Sequence, residues 1–282
     1  MDRILIVDGH NLLFQMFFGM PNVIINKDGK MIQGTLGFVG ALLKIIDMVT
    51  PTHILVLFDS EKREVRSDIY SNYKANRIDF SEAKEEDNPF SQLNDIYKAL
   101  DYLKIKHTEV VKYEVDDVIA TYCLKYGDFN EIFISSFDSD FFQLISENVK
   151  VLRYRGKNTI ICDENYLKEK YEITPNMYVA FKSLVGDSAD NIKGICKIGP
   201  KTASKLLNEY ENLQNLIANI EKIEKLHIKN ALINGLEDLK RNYKLVKLTD
   251  EAPIPYEKEL LKYSKSSLRT NDVLIGIGVK WG

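Results

Sequence analysis

The sequence predicts an α/β fold built on a mostly parallel central sheet flanked by helices. Short apolar runs that stop at an acidic residue read as buried strands, and the stretches between them carry apolar residues at three-to-four spacing. Strands alternating with helices in this way build a parallel sheet. After Thr174-Pro175 the pattern turns helical almost to residue 248, which adds a helical region behind the core. A soft boundary near residue 172 therefore separates an α/β core, residues 1–172, from a mostly helical region, residues 173–282.

The elements follow in order. Ile4–Val7 is a continuous apolar strand ending at Asp8, and a helix follows from about Asn11 to Phe18. Gly34 to Met48 is a helix with Leu36, Val39, Leu42, Leu43 and Ile46 on one face. His53–Phe58 is the second strand, ending at Asp59. Residues 61–77 read as a charged helix, and 79–89 as a polar, acidic loop. Pro89 to Leu103 is amphipathic, with Leu93, Ile96, Leu100 and Leu103 aligned, and Val115 to Tyr126 is a further helix. Glu131–Ser135 is the third strand, followed at once by Asp138 and Asp140. Val149–Arg155 and Asn158–Cys162 form a hairpin around Gly156-Lys157. In the tail, residues 264–282, Val273–Val279 reads as a closing strand.

Composition removes several classes. No apolar run is long enough to cross a membrane, and the N-terminal MDRILIVDGHN lacks a signal-peptide layout, so a cytoplasmic protein is expected. Cys123, Cys162 and Cys196 are scattered, as are the four histidines, which argues against a disulfide framework and against zinc. The net charge is −3, but it is unevenly placed: residues 1–192 carry −8 and residues 193–282 carry +5. An acidic front suits cations and a basic back suits anions.

The acids explain the front. Carboxyl ends of parallel strands converge on one edge, where ligands bind. Asp8, Asp59, Asp138 and Asp140 should therefore meet. A single Asp after a strand is commonly a turn former or helix cap, but three such strands are harder to dismiss. Glu114, Asp116 and Asp117 open a helix that needs only one or two side-chain acceptors. Asp187 and Asp190 stand one helical turn apart. Nine carboxylates facing one cleft would repel one another and raise their pKa values unless divalent cations resolved the conflict. Mg²⁺ suits carboxylates, water and phosphate together, and two such ions would hydrolyse a phosphodiester. Without these nine acids the remainder of the chain is +6, as a nucleic-acid binder should be.

Two further segments point the same way. In RSDIYSNYKANR, residues 66–77, helical spacing aligns Arg66, Tyr70, Tyr73, Lys74 and Arg77 on one face. Tyrosines can stack on bases while the cations hold phosphates, although a surface helix with its tyrosines packed inward has the same pattern. With the acidic loop, this helix could lie as a lid over the metal edge. Gly194-Ile-Cys-Lys-Ile-Gly199-Pro200-Lys201-Thr202 nearly matches a phosphate loop, but Pro200 intrudes and a helical stretch precedes it. It fits a helix–hairpin–helix better: a helix over about 175–185, a turn through Gly194 and Gly199, and a helix from Pro200. Backbone N–H groups at that start, with Lys201, Thr202 and Lys205, would hold a duplex phosphate without reading sequence.

The segments LIVDGHNLLF, FDSEKREVRSDIYSNYKANR, YEVDDVIAT, SSFDSDFFQL, LVGDSADN and GICKIGPKTASKLL occur in this order. They resemble the 5′-nuclease domain of bacterial family-A DNA polymerases and the stand-alone bacterial and phage flap endonucleases, from about Ile4 to at least Leu248. No polymerase region follows, so a free-standing member is expected. The resemblance implies a PIN-like core with a helical arch over about 61–105 and a C-terminal helix-three-turn-helix that binds duplex DNA and often K⁺. It implies metal ligands at Asp8, Asp59, Glu114, Asp116, Asp117, Asp138, Asp140, Asp187 and Asp190, holding two Mg²⁺ or Mn²⁺ ions. The family's arch cations fall on Arg66, Lys74 and Arg77, with Tyr73 at the stacking position. Gln15 stands where the family usually has a phosphate-holding arginine, and the tail matches no family pattern.

The implied function is metal-dependent 5′-3′ exonuclease and 5′-flap endonuclease action on DNA, in primer removal and repair, by a monomer at the bacterial nucleoid. Substrates would be flaps, nicks and 5′ ends, some RNA-primed. Lys74 and Arg77 would neutralise the scissile phosphate. One rival is a catalytically weak paralogue that binds flap DNA, which only Gln15 favours. Another is an aspartate-nucleophile phosphatase using Asp138-Ser139-Asp140, which would leave the basic aromatic helix and the glycine turn without a use.

Overall fold

The computed structural model describes residues 1–20, 22–60, 70, 72–75, 78–80 and 82–280. The main sheet contains β1 (Asp2–Asp8), β2 (His53–Asp59), β3 (Lys106–Val110), β4 (Asn130–Ser135), β5 (Val149–Arg153) and β6 (Ile160–Cys162), in the order β3-β2-β1-β4-β5-β6. β1 to β5 are parallel and β6 is antiparallel. Ile4 pairs with His53 on one side and Ile132 on the other, so β1 is central. The chain steps outward from β1 to β2 and β3, then crosses back to β4. Strand order reverses between β1 and β4, which opens a crevice outside their carboxyl ends.

Both faces of the sheet are covered, which is why its strands are continuous apolar runs. Alternate residues serve opposite cores. Leu5, Val7, Ile54, Val56 and Phe58 pack with α1 (Gly9–Gly19), α2 (Gln33–Val49) and α3 (Leu93–Tyr102). Ile4, Ile6, Leu55, Leu57, Ile132 and Ile134 face α4 (Val115–Tyr126) and the C-terminal helices. Those helices are α5 (Glu164–Tyr171), α6 (Tyr178–Val185), α7 (Pro200–Tyr210), α8 (Leu213–Ala218), α9 (Leu226–Asn234) and α10 (Leu236–Val246). Leu184, Ile195, Leu207, Leu232 and Leu239 continue the core beneath the sheet. Buried Asn242 on α10 ties this region together: its Nδ2 donates to the Ser183 carbonyl at 3.1 Å and to the Lys193 carbonyl at 2.8 Å.

Four sequence expectations need correction or extension. β3 is an edge strand whose KHTEV sequence is largely solvent-facing, so it lacks the apolar run that reveals its neighbours. A small hairpin of β7 (Gly186–Asp187) and β8 (Ile192–Lys193) interrupts the expected helical stretch. The expected closing strand at Val273–Val279 is instead α11 (Thr270–Gly276). The Asp272 carboxylate accepts the Arg269 N–H at 2.9 Å and starts that helix, while Val273 and Leu274 are buried. The helix expected over 61–77 falls partly outside the described residues. Within them, 72–75 form a turn with Lys74 in the left-handed region at φ 53°, so no helix runs through that point.

Candidate metal centre

The first group of carboxylates stands at the crevice between β1 and β4. Asp8 ends β1 and is nearly buried. One of its oxygens accepts the Asn11 N–H at 3.1 Å and so caps α1; the other accepts the Ser136 hydroxyl at 2.9 Å. Asp59 ends β2, and its Oδ1 accepts the Val115 N–H at 3.0 Å, which positions the start of α4. Asp116 lies in the first turn of α4, and Asp138 follows β4. Asp8, Asp59, Asp116 and Asp138 line one cavity of about 1090 Å³. Burial pushes the Asp8 carboxyl up to about 7; Asp59 and Asp138 push the same way, against the Asn11 and Ser136 hydrogen bonds. Burial also holds Asp116 well above the usual carboxylate range, with Asp138, Glu114 and Asp8 adding and Lys74 opposing.

The second group is Asp140, Asp187 and Asp190, whose carboxylate oxygens lie within 4.8 Å of one another. Asp138 links the two groups, since its Oδ1 accepts the Asp140 N–H at 2.8 Å. Asp187 is held by the Ala189 N–H, which donates to its Oδ1 at 2.8 Å. A residue absent from the sequence expectations completes this group. Lys182, on α6 and only 4% exposed, ion-pairs with Asp140 and reaches Asp187 at 2.5 Å. Burial works against the charged Lys182, but Asp140, Asp138 and Asp187 outweigh it and hold the ammonium form well above its ordinary range. Burial pushes Asp140 up to about 7, with Asp138 and Asp190 adding to it and Lys182 opposing. Against burial, Lys182 holds Asp187 below its usual value.

The remaining acids have other partners. Glu114 is buried and receives the Lys74 ammonium at 2.8 Å. Asp117 is buried, and its Oδ1 accepts the Thr249 N–H at 3.0 Å. That oxygen joins α4 to the chain beyond α10, and neither Glu114 nor Asp117 is among the residues that line the cavity. Asp8, Asp59, Asp116 and Asp138 at the cavity and Asp140, Asp187 and Asp190 in the second group bring a donor set of carboxylate oxygens without a thiolate. Asp8, Asp116 and Asp140, pushed toward protonation by burial and by neighbouring carboxylates, fit divalent cations that prefer oxygen.

The basic aromatic segment is seen in part. Arg66 and Arg77 lie outside the described residues. Lys74 lines the cavity. Tyr73 was expected to offer a stacking face, but it is buried against Val179, Ile192, Leu245 and Val246. The turn at 72–75 directs that ring inward, so the inward-packed alternative describes Tyr73. Tyr70 is half-buried, with the Arg241 guanidinium 4.5 Å from its ring centre. The Lys74 N–H donates to the Asp190 carbonyl at 3.1 Å, and Asn191 Nδ2 donates to the Asn72 carbonyl at 2.8 Å. The segment is thus fastened beside the second carboxylate group.

The glycine turn has a steric reason for its glycines. A Cβ on Gly194 would lie 2.1 Å from the Val185 carbonyl oxygen, and Gly186 holds φ at +86°. Gly199 is extended and caps α7, while its own Cβ position is open. Lys201 and Lys205 are exposed on α7, and Thr202 is half-buried.

The cavity has an aromatic wall that the sequence reading did not assign. His10, Phe14, Phe18, Phe80 and Phe90 line it, with Phe14 edge-on to Phe90 at 5.4 Å between ring centres. The four-residue spacing of Phe14 and Phe18 was visible, but Phe80 and Phe90 arrive from another segment. Gln15, at the position expected for an arginine, donates its amide to the Tyr154 carbonyl.

Residues 3–172 match the family model described as the 5'-3' exonuclease N-terminal resolvase-like domain, and residues 173–268 match the 5'-3' exonuclease C-terminal SAM fold. The chain belongs to the 5′-3′ exonuclease family. A 5'-3' exonuclease of Buchnera aphidicola subsp. Schizaphis graminum is 33% identical over 285 residues, covering 96% of this chain and 95% of that protein. Thermostable DNA polymerase I of Thermus thermophilus is 34% identical over 253 residues. That match covers 89% of this chain but only 29% of the polymerase. T5 5'-exonuclease with bound divalent metal ions (zinc) shares the fold at a TM-score of 0.71 and 23% identity, over 86% of this chain and 89% of that one. A bacteriophage T5 D15 flap endonuclease in a complex with DNA and metal ions aligns at a TM-score of 0.70 and 22% identity, over 86% and 88%.

Proposed function

We propose that this chain hydrolyses DNA phosphodiester bonds, removing nucleotides from 5′ ends and cutting at 5′ flaps, with two divalent cations bound at the sheet edge. The observation that carries the reading is the meeting of carboxylates from three strand ends and the start of α4 at one cavity, with Lys74 on its wall and the Asp140, Asp187 and Asp190 group joined to it through Asp138. Asp8, Asp59, Glu114, Asp116 and Asp138 serve one ion, and Asp140, Asp187 and Asp190 the other. Asp117 holds α4 in place through Thr249. Bound Mg²⁺ would supply an acidified water and charge stabilisation at the leaving oxygen.

The chain's own groups do the rest. Lys74 faces the cavity and supplies positive charge to the scissile phosphate, and Arg77 shares this task. The start of α7, with Lys201, Thr202 and Lys205, holds a duplex phosphate by backbone N–H groups and charge. K⁺ is the fitting monovalent ion at the glycine turn. The protein acts as a monomer on flaps, nicks and RNA-primed 5′ ends, in primer removal and repair, with Mg²⁺ as the working ion and Mn²⁺ as a substitute.

The test uses 5′-labelled flap, nicked and blunt duplexes with Mg²⁺, Mn²⁺ or chelator. Metal-dependent release of short 5′ products from the flap is expected. Asp138→Asn with Asp140→Asn should abolish release and leave DNA binding measurable. Wild-type turnover in that double variant would sink the metal assignment. Binding without cleavage by the wild type in both metals would favour the non-cutting paralogue, with Gln15→Arg as the next variant.

A further inference from the structure

The second carboxylate group already contains a cation. Asp140, Asp187 and Asp190 crowd together, and the Lys182 ammonium ion-pairs with two of them. Lys182 sits in the otherwise apolar helix sequence YVAFKSLV, among Tyr178, Val179, Phe181 and Leu184, all buried. A lysine there has no solvent to reach, and an unpaired buried ammonium is costly. Its position is explained by what it touches. Three carboxylates and one ammonium leave a charge of −2, which one divalent cation neutralises.

We propose that Lys182 is a built-in counter-cation of the second carboxylate group, which holds the metal-free site together and which an entering divalent ion must displace or share ligands with. This rests on the two-ion reading above. The ammonium occupies oxygens of Asp140 and Asp187 that the ion needs. A divalent ion about 4 Å from an ammonium is disfavoured by roughly thirtyfold even at water's full screening. The first group also holds an ammonium, Lys74 on Glu114, but its five assigned carboxylates leave it at −4 against −2 here, so the second site is the weaker of the two. Lys182 also prevents the metal-free carboxylates from forcing α6 away from β4. Lys182 is a positioning residue here, since it acts through the carboxylates and not on the substrate.

The experiment is calorimetric titration of the full chain with Mg²⁺ and Mn²⁺, in parallel with thermal unfolding in chelator. Wild type is compared with Lys182→Met, which keeps the stem and removes the charge, and with Lys182→Arg, which keeps a charge. Wild type should show a tight and a weak class of site. Lys182→Met should bind the weak class at least tenfold more tightly. It should also unfold at a lower temperature in chelator and show a larger metal-induced rise in melting temperature. Lys182→Arg should keep the weak class weak. If Lys182→Met does not fold without metal, refolding it in Mn²⁺ and measuring the bound ions by electron paramagnetic resonance gives the same comparison, and rescue by metal supports the proposal. Unchanged or weaker second-site binding in folded Lys182→Met overturns this proposal and leaves the two-ion reading standing. A wild type without a weak class sensitive to Asp187→Asn overturns both.

Discussion

Asp8→Asn should make the metal-free protein more stable at neutral pH, although it removes a proposed metal ligand. Asp8 is nearly buried beside Asp59 and Asp138, and its carboxyl is pushed up from 3.8 to about 7. The unfolded chain ionises this group near its ordinary value, so between those two values the folded state holds a proton that the unfolded state has lost. Stability is therefore lost as pH rises above 3.8, and the loss levels off above about 7. For one such carboxyl the penalty is about 1 kcal/mol at pH ~4.5 and about 4 kcal/mol at pH ~7.5. Asparagine keeps an oxygen for the Asn11 N–H and can donate to the Ser136 hydroxyl oxygen, so both local contacts survive. The variant should gain about 3 kcal/mol relative to wild type on going from the lower pH to the higher one. Urea unfolding in chelator at both values measures this. Saturating Mg²⁺ should reverse the order at the higher pH, because the wild type binds the ion more tightly. A stability difference in chelator that fails to widen with pH would refute the account of a crowded, protonated edge.

Other substitutions test the supports. Asn242→Ala leaves the Ser183 and Lys193 carbonyls without their shared donor and should cost about 3 kcal/mol by denaturant unfolding. Gly194→Ala places a methyl against the Val185 carbonyl; it should destabilise the protein and lower affinity for nicked duplex at least tenfold, read by fluorescence anisotropy. Gly199→Ala, at an open position with an ordinary φ, should cost under about 1 kcal/mol. Glu114→Gln breaks the buried pair with Lys74 and should cost about 3 kcal/mol, with a smaller loss in Lys74→Met/Glu114→Gln measured in the same unfolding assay.

The acids at the ends of β1, β2 and β4 were legible because a buried parallel strand is a solid apolar run, and a charge at its end stands out. β3 was not, since an edge strand facing water carries no such run. The tail misled for a related reason. Val273, Leu274 and Ile275 look β-like locally, but the Asp272 contact that starts α11 and the burial that selects a helix are set by the fold. Tyr73 could be read either as a stacking surface or as packing, and only the partners Val179, Ile192, Leu245 and Val246 decide it. Lys182 gave no signal. A lone lysine among apolar residues acquires meaning only from Asp140, which lies 42 positions earlier in the chain.

The fastening of residues 72–75 to Asp190 and Asn191 has a thermodynamic corollary. One short stretch of backbone carries a cavity-facing cation at Lys74 and is hydrogen-bonded to the segment that bears a carboxylate of the second group. A ligand stabilises this docked arrangement only if it prefers it, and two ligands that both prefer it are linked reciprocally. If the proposed ion at the second group and a proposed phosphate at Lys74 both prefer it, they share a single coupling energy. Each should tighten the other by the same factor, with no contact between them.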